Sequence, residues 1–382
     1  MAKIVHFGKF YLPDSGGIES VTVSLAKGSV NAGYDVTVVC FKKSLSLPNQ
    51  VIDGVNVVRV PIAKLVASQP LSLKYFTSCL SAARDAGVVH LHAPNMLGAL
   101  CSLFIKRKTR LLVHWHSDVV NKGLLGKFVR PLERALLRRA DCIVATSQVY
   151  ADASEPLASF KGKIAVVPIG VPDTKQDGEE KTLPSHIEQS IQGKKIILSV
   201  GRLVPYKGFD VLIDAANDLV ADAIVVIVGG GPLLDQLRDR IASANALQRV
   251  VLAGRLSDED LHLLFRRASL YCLPSTYRAE AFGVVLLEAM AHGLPIVATE
   301  IPGSGVPWVN KHGVSGLNVP VNNAHALAAA CNQILDSSDL RKLLADGARQ
   351  RFLSEFTEEV SINRMLTIYE RLATDAQQRE SD

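Results

Sequence analysis

The sequence predicts an α/β protein of two doubly wound, Rossmann-like domains facing each other across a cleft. Three observations predict it. The 382 residues exceed what one hydrophobic core usually supports. Short runs rich in β-branched residues recur along the chain with helical stretches between them. These runs are continuously apolar rather than alternating, the pattern of parallel strands covered on both faces.

Taken in order, the first half places strands at 4–7, 36–41, 55–60, 87–92, 111–116, 142–146 and 164–168. Helical patterns lie near 18–32, 70–84, 95–107, 122–140 and 147–159. Together they make one domain over 1–172. From 173 to 193 the chain turns polar and acidic through Asp173, Asp177, Glu179 and Glu180, and reads as a linker. A second domain over 194–357 carries strands at 195–201, 224–229, 250–252, 270–273, 295–299 and 316–320, again with helices between. The stretch 358–382 reads as a helix packing back toward the first domain, followed by a polar tail.

Composition narrows the class further. Hydrophobic residues at 48% with 21% charged describe an ordinary globular chain. The net charge of +5 hides a split. Residues 1–172 hold 21 Lys+Arg against 10 Asp+Glu, or +11, and residues 173–382 hold 21 against 27, or −6. A basic half suits nucleic acid, a phosphorylated substrate or an anionic membrane surface; among partners, no nucleic acid is expected. The six cysteines sit in apolar segments without a Cys-x-x-Cys pair, as buried thiols of a reducing cytoplasm. The start is too short and interrupted for a signal peptide, and no apolar run reaches the ~18–20 residues of a membrane span.

The chemistry concentrates at residues 280–288. Glu280 and Glu288 lie either side of a Phe282-Gly283 turn that opens a short buried helix over 284–291. The free N–H groups of a first helical turn suit an anion, and the two carboxylates suit sugar hydroxyls. A ligand that is anionic in the middle and hydroxylated at both ends is a nucleotide sugar. The plainer alternative is an amphipathic helix with a solvated Glu at each edge. Arg202 and Lys207, on the Gly-bearing turn after strand 195–201, point to a diphosphate. Gly229, Gly230 and Gly231 end the next strand and allow close approach to the backbone.

Other motifs stay open. Gly16-Gly17 before a helix either exposes N–H groups for a phosphate or makes a tight turn. His90/His92 and His114/His116 are His-x-His pairs at strand ends. A zinc site with Asp118 is conceivable; the favoured reading leaves one histidine in the sheet and presents His116 to the cleft. The amphipathic stretch 121–139 carries an apolar face of Leu124, Leu125, Phe128, Val129, Leu132, Leu136 and Leu137. With Lys106, Arg107, Lys108 and Arg110, its basic residues Lys127, Arg130, Arg134 and Arg138 form either a lipid-facing surface or a solvated rim. Asp258-Glu259-Asp260 could hold a metal, but after Ser257 it reads as the cap of a helix over 258–267.

With Gly16-Gly17, His116, Arg202, Lys207 and Glu280/Glu288 in this order, the chain resembles the retaining glycosyltransferases of the GT-B fold. Within them it is similar to the large bacterial group-1 family of mannosyl- and other hexosyltransferases of O-antigen and polysaccharide assembly. The resemblance implies catalytic roles for His116, Arg202, Lys207 and Glu280. Gly16 and Gly17 would underlie the donor diphosphate and border the acceptor. His116 would contact the sugar, Arg202 and Lys207 would clamp the diphosphate, and Glu280 with the Phe282-Gly283 backbone would meet sugar and phosphate. Glu288 would bind the ribose, and Arg255-Leu256 would lie at the base. The resemblance implies no cofactor, only a GDP- or UDP-linked sugar and a lipid-linked glycan acceptor. With Arg202 and Lys207 at the diphosphate no metal is expected, and the +11/−6 split motivates a peripheral place at the inner face of the cytoplasmic membrane. The alternatives are a nucleotide-sugar epimerase on the same fold and a non-catalytic binding subunit.

Overall fold

The computed structural model describes residues 3–14, 16–43, 47–66, 69–118, 125–174 and 182–381, with backbone alone at 125–128 and 375–381. The chain forms two compact units: Met1–Gly170 with Glu358–Asp382, and Val171–Thr357. The polypeptide therefore passes from the first unit to the second and back.

The first unit is built on an eight-stranded sheet. Its strands are β1 (Lys3–Phe7), β2 (Asp35–Lys42), β3 (Gln50–Ile52), β4 (Val55–Pro61), β7 (Val88–Ala93), β8 (Arg110–Trp115), β9 (Cys142–Ala145) and β10 (Ile164–Val166). Two further strands, β5 (Lys64–Val66) and β6 (Gln69–Leu71), pair only with each other. The order β10-β9-β8-β7-β1-β2-β4-β3 is parallel throughout except at the β3–β4 edge. Sequence reading did not anticipate that hairpin. Its signal was present: Asp53-Gly54 joins β3 to β4 with both residues at positive φ, the two-residue turn that Asp-Gly favours. The hairpin β5–β6 was likewise not read, because three-residue strands carry no periodicity.

Every residue of β7 and β8 is buried, the signature of central parallel strands. The C-terminal helix Glu358–Ser381 lies on this unit, against the first helix Gly17–Asn31 and strands β7 and β8. The contact is close because Gly28 has no side chain: a Cβ there would sit 2.6 Å from Ile362.

The second unit has a six-stranded parallel sheet in the order β13-β12-β11-β14-β15-β16. These are β11 (Lys195–Val200), β12 (Ala223–Val228), β13 (Val250–Gly254), β14 (Leu270–Leu273), β15 (Ile296–Thr299) and β16 (Gly316–Val319). Counted within the unit this is 3-2-1-4-5-6, so the winding reverses between β11 and β14. In such sheets ligands collect outside the carboxyl ends of the strands at the reversal. The core under the sheet joins Ile197, Val225, Ile227 and Leu270 to Leu212, Leu237 and Leu327 from the helices.

The stretch 173–193 needs correction as a linker. Residues 175–181, including Asp177, Glu179 and Glu180, lie outside the described residues. The flanks are structured: Asp173 pairs with Arg349 at 2.7 Å, and Ser185–Ile191 is a helix of the second unit. Ile187 and Ile191, four residues apart, bury one face of that helix. The polar composition of 173–181 concealed it.

Candidate functional site

In the second unit, the segments leaving β11 and β14 meet at the topological reversal. The segment after β11 carries exposed Arg202 and a turn at Pro205–Lys207, closed by Gly208 at φ +66°. A Cβ on Gly208 would lie 2.1 Å from the Pro274 carbonyl, so only glycine lets the two segments touch. They bond directly, Thr276 N–H donating to Tyr206 O at 2.8 Å.

This seam sets Lys207 against Glu280, Nζ to Oε2 at 2.5 Å, with both side chains nearly buried. Ser275 Oγ donates to the same carboxylate oxygen at 3.1 Å. Ser304 Oγ donates to the Glu280 carbonyl, and Gly305 N–H to the Ala281 carbonyl at 2.8 Å. The loop carrying Glu280 is therefore held from three sides before any ligand arrives. Ser275 and Ser304 were not singled out from sequence, since serine in loops is too common to signal.

Phe282 is buried near Trp308 and Phe356, and Gly283 at φ +78° turns the chain into the helix Val284–Ala291. Leu286 N–H donates back to Gly283 O at 2.8 Å, but no side chain caps that helix start, so its earlier first-turn N–H groups suit an anion. Glu288 sits in the second turn. Burial raises its carboxyl to about 7, repulsion from Asp258 adds to this, and Lys207 opposes it. Glu280 and Glu288 thus share Lys207 electrostatically.

The Arg202 carbonyl accepts from Val204 N–H at 2.8 Å, but the Arg202 guanidinium makes no hydrogen bond or ion pair with the described residues, leaving it free for an anionic ligand. Gly229, at φ +143°, lies so close to Gly201 that a Cβ would meet the Gly201 carbonyl at 1.9 Å. Exposed Arg255 follows β13, and its guanidinium stem passes over Gly230, where a Cβ would lie 2.9 Å from Nε. Leu256 beside it is half-buried. Asp258–Arg267 is a helix whose N-terminus Ser257 caps, Oγ accepting from Asp260 N–H at 3.1 Å. A cavity of about 400 Å³ beside the Pro205 turn is lined by Asp210, Leu237 and Arg240 but by none of these residues.

In the first unit, Gly16 precedes and Gly17 begins the helix after β1. Neither is required by the backbone: Gly16 is extended, and a Cβ on Gly17 would meet nothing within 4 Å. Gly16 leaves room for the first-turn Glu19 carboxylate, whose Oε2 would lie 2.3 Å from a Cβ there, while Gly17 adds no side chain to the helix start.

The histidines depart from expectation. His6 on β1, His90 and His92 on β7, His114 on β8 and His116 just beyond it form one buried stack. Neighbouring centroids are 4.8 Å apart for His6–His90, 4.3 Å for His90–His92 and 4.1 Å for His114–His116. His114 and His116 therefore share a face, as the two-residue period of a strand dictates, and His116 is not held out alone. His6 was missed because a single histidine in an apolar strand carries no spacing signal.

His6 Nδ1 lies 3.0 Å from His92 Nε2, His92 Nδ1 lies 3.1 Å from His116 Nε2, and His90 Nδ1 bonds the Tyr369 hydroxyl at 2.5 Å. Burial pushes His6 and His116 down to about 3; burial and then neighbouring imidazoles push His90, His92 and His114 well below the usual range. Among the described residues, His6/His90/His92 and His92/His114/His116 are the groups whose ligand atoms come within 4.8 Å of one another. Asp118 joins neither: its carboxylate accepts from Trp115 Nε1 at 2.8 Å and from Ser154 Oγ.

The proposed basic surface is altered. Lys106, Arg107 and Lys108 are exposed, but Arg110 is buried and paired with Asp141 at 3.1 Å. On the helix Leu125–Arg139, Leu136 and Leu137 are buried while Arg130, Arg134 and Arg138 are exposed. Leu124 and the side chains of Leu125, Lys127 and Phe128 lie outside the described residues.

Sequence profiles of known families match both units. "Glycosyl transferase 4-like domain" matches residues 16–170, and "Glycosyl transferases group 1" matches 184–351. O-antigen chain mannosyltransferase C of Escherichia coli is 32% identical over 373 residues, 97% of this chain and 98% of that one. D-rhamnosyltransferase WbpZ of Pseudomonas aeruginosa is 32% identical over 358 residues, 93% and 92% of the two chains. The solved sucrose-phosphate synthase of Thermosynechococcus elongatus superposes with a TM-score of 0.77 at 21% identity, over 98% of this chain and 100% of that one, a likeness of fold.

Two Rossmann-like units, with cations and carboxylates gathered at strand ends of the second, define a glycosyltransferase of the GT-B class. The chain belongs to the group-1 glycosyltransferase family.

Proposed function

We propose that the protein transfers a hexose, mannose in the first instance, from a nucleotide diphosphate sugar to a growing lipid-linked glycan, with retention and without a metal. The observation that carries this is the Lys207–Glu280 pair at the strand reversal, with unpaired Arg202 on the same segment. Cleaving the anomeric bond develops negative charge on the leaving diphosphate. Arg202, Lys207 and the uncovered helix start at Gly283 are cations and dipoles already in place to receive that charge, without reorganisation. Glu280, fixed by Lys207 and Ser275, accepts sugar hydroxyls, and Glu288 accepts the ribose. Arg255-Leu256 border the base. In the first unit Gly16-Gly17 and His116 serve the diphosphate, the sugar and the acceptor side.

Mannose is favoured by the name of the Escherichia coli relative. Epimerase and silent-subunit readings are not favoured, since the relatives are named as transferases. The +11 first half and exposed Lys106, Arg107 and Lys108 motivate a peripheral position on the inner face of the cytoplasmic membrane; among the described residues no helix is long and apolar enough to cross it. A protein that ignores anionic liposomes at low salt would count against that placement.

Thermal unfolding with GDP, UDP and ADP separately tests the donor. A nucleotide at ~100 times its dissociation constant stabilises the fold by ~2.7 kcal/mol. A shift with GDP alone supports mannose or its deoxy relatives, and a shift with UDP alone replaces it by another hexose. No shift with any of them removes the nucleotide-sugar reading of this site.

A further inference from the structure

The histidine stack is graded. His6 and His90 are 0% exposed, His92 1% and His114 2%, while His116 retains 7%. One hydrogen-bonded chain runs through it, from His6 Nδ1 to His92 Nε2 and from His92 Nδ1 to His116 Nε2. It is sealed at His6 and reaches its most accessible member at His116. The rings stand nearly parallel, 18° for His6–His92 and 14° for His92–His116. Parallel rings aim their nitrogen lone pairs along a shared direction rather than toward one point. That arrangement favours a relay over a metal, which needs its ligands to converge.

Burial disfavours the charged form of every member. A neutral imidazole carries one N–H and one bare nitrogen, so the proton positions along a chain are mutually determined. The far end decides the direction. His6 Nε2 is buried without a partner, as are His90 Nε2 and both nitrogens of His114, whereas neither nitrogen of His116 is among such atoms. Neutral His114, with both nitrogens orphaned, has to leave one N–H unpartnered, but His6 has a choice, and an orphaned buried N–H is rarer than an under-satisfied acceptor. His6 therefore keeps its bare nitrogen at the orphaned Nε2 and its proton at Nδ1, donating to His92 Nε2. His92 must then carry its proton at Nδ1 and donate it to His116 Nε2. His116 is left with its own proton at Nδ1.

We infer that His6 and His92 are positioning residues that lock neutral His116 in the Nδ1–H tautomer, so that the accessible end of the chain offers a hydrogen-bond donor. Its catalytic meaning rests on the reading of His116 as a sugar contact. A donor fixed in place suits an oxygen of the sugar or leaving group that gains negative charge; a freely exchanging imidazole would present a donor only part of the time.

The test is 15N NMR of the full chain labelled at histidine, with the His116 signals identified by their loss in His116→Asn. The expected result is one protonated-type Nδ1 signal and one bare-type Nε2 signal for His116 at neutral pH. In His92→Phe these should move toward their average. Turnover should fall by roughly tenfold, the size of one lost hydrogen bond, with a smaller change in donor KM. His92→Gln, which can still accept and donate, should restore part of both. Tyr369→Phe removes a bond to His90 outside the chain and should leave the His116 signals unchanged. An Nε2–H tautomer or averaged signals in the unmutated protein would overturn the inference, as would a stoichiometric metal ion bound to the stack. If His92→Phe does not fold, the signals of the unmutated protein decide by themselves. If the signals are as expected but His116→Asn keeps full activity, the sugar-contact reading falls while the tautomer assignment stands.

Discussion

Lys207 Nζ lies 2.5 Å from Glu280 Oε2, a bond between two segments 73 residues apart that meet only because β11 and β14 are neighbours in the sheet. Each partner neutralises the other while little water reaches either. Lys207→Ala should lower kcat/KM by about 10²–10³-fold, as loss of one preorganised donor does. It should also destabilise the fold by ~3–5 kcal/mol, because Glu280 is left charged and uncompensated. The double variant Lys207→Met/Glu280→Gln should regain most of that stability and none of the activity. Urea unfolding beside steady-state kinetics checks both; near-normal turnover in Lys207→Ala would remove it from the mechanism.

Arg202 gives the complementary case. It is exposed and unpaired, so Arg202→Ala should leave stability within about 0.5 kcal/mol. The same change should cost about 10²-fold or more in kcat/KM. A stability loss without a kinetic one would mean that Arg202 supports the fold instead.

Glycine tests the seam. Gly208→Ala forces a Cβ against the Pro274 carbonyl at a positive φ, and should destabilise by roughly 2–4 kcal/mol through strain and displacement of the loop. Gly17→Ala meets open space and should fold normally. Gly17→Leu should also fold, yet lose donor or acceptor binding if the helix start must stay uncovered. Thermal midpoints for the three variants, followed by kinetics on those that fold, separate the roles.

Two pH effects run in opposite directions. The buried histidines have native pKa values far below the ordinary 6.5, so the unfolded chain binds more protons. Their stability contribution is fully present above pH 6.5 and is lost as pH falls from there toward about 3. Each contributes a slope approaching ~1.4 kcal/mol per pH unit, so unfolding of the first unit should be steeply acid-sensitive, and His114→Phe should lessen the slope by one proton. Midpoints across pH 7 to 4.5 check it.

Glu288 is the reverse. Its pKa is raised from 4.5 to about 7, so the native state holds the proton more tightly. That contribution is complete below 4.5 and is lost as pH rises through about 7. Glu288→Gln should flatten the decline in stability of the second unit between about pH 4.5 and 7, read from nucleotide-free melting curves. An unchanged profile would mean that the carboxyl is solvated and ordinary.

The strands were legible because burial on both faces favours short, largely apolar, β-branched runs, as in β12. The helix at Val284–Ala291 and the Ser257 cap were legible because caps and turns are chosen by neighbouring residues. The short hairpin strands and the helix Ser185–Ile191 were not, since three to seven residues carry too little periodicity beside polar neighbours.

By itself, then, the sequence determined what depends on neighbours in the chain: two α/β units, their strand ends, and Arg202, Lys207, Glu280 and Glu288 as the charged residues beside them. The tertiary structure decided what depends on strand order. It put Lys207 on Glu280, withdrew Arg110 into a pair with Asp141, and stacked five histidines, four on three strands and His116 just beyond β8, into one buried column. Spacing along one strand is a local property of the backbone. Which strand lies beside it is settled by the burial of the whole sheet, and no window of sequence contains that information.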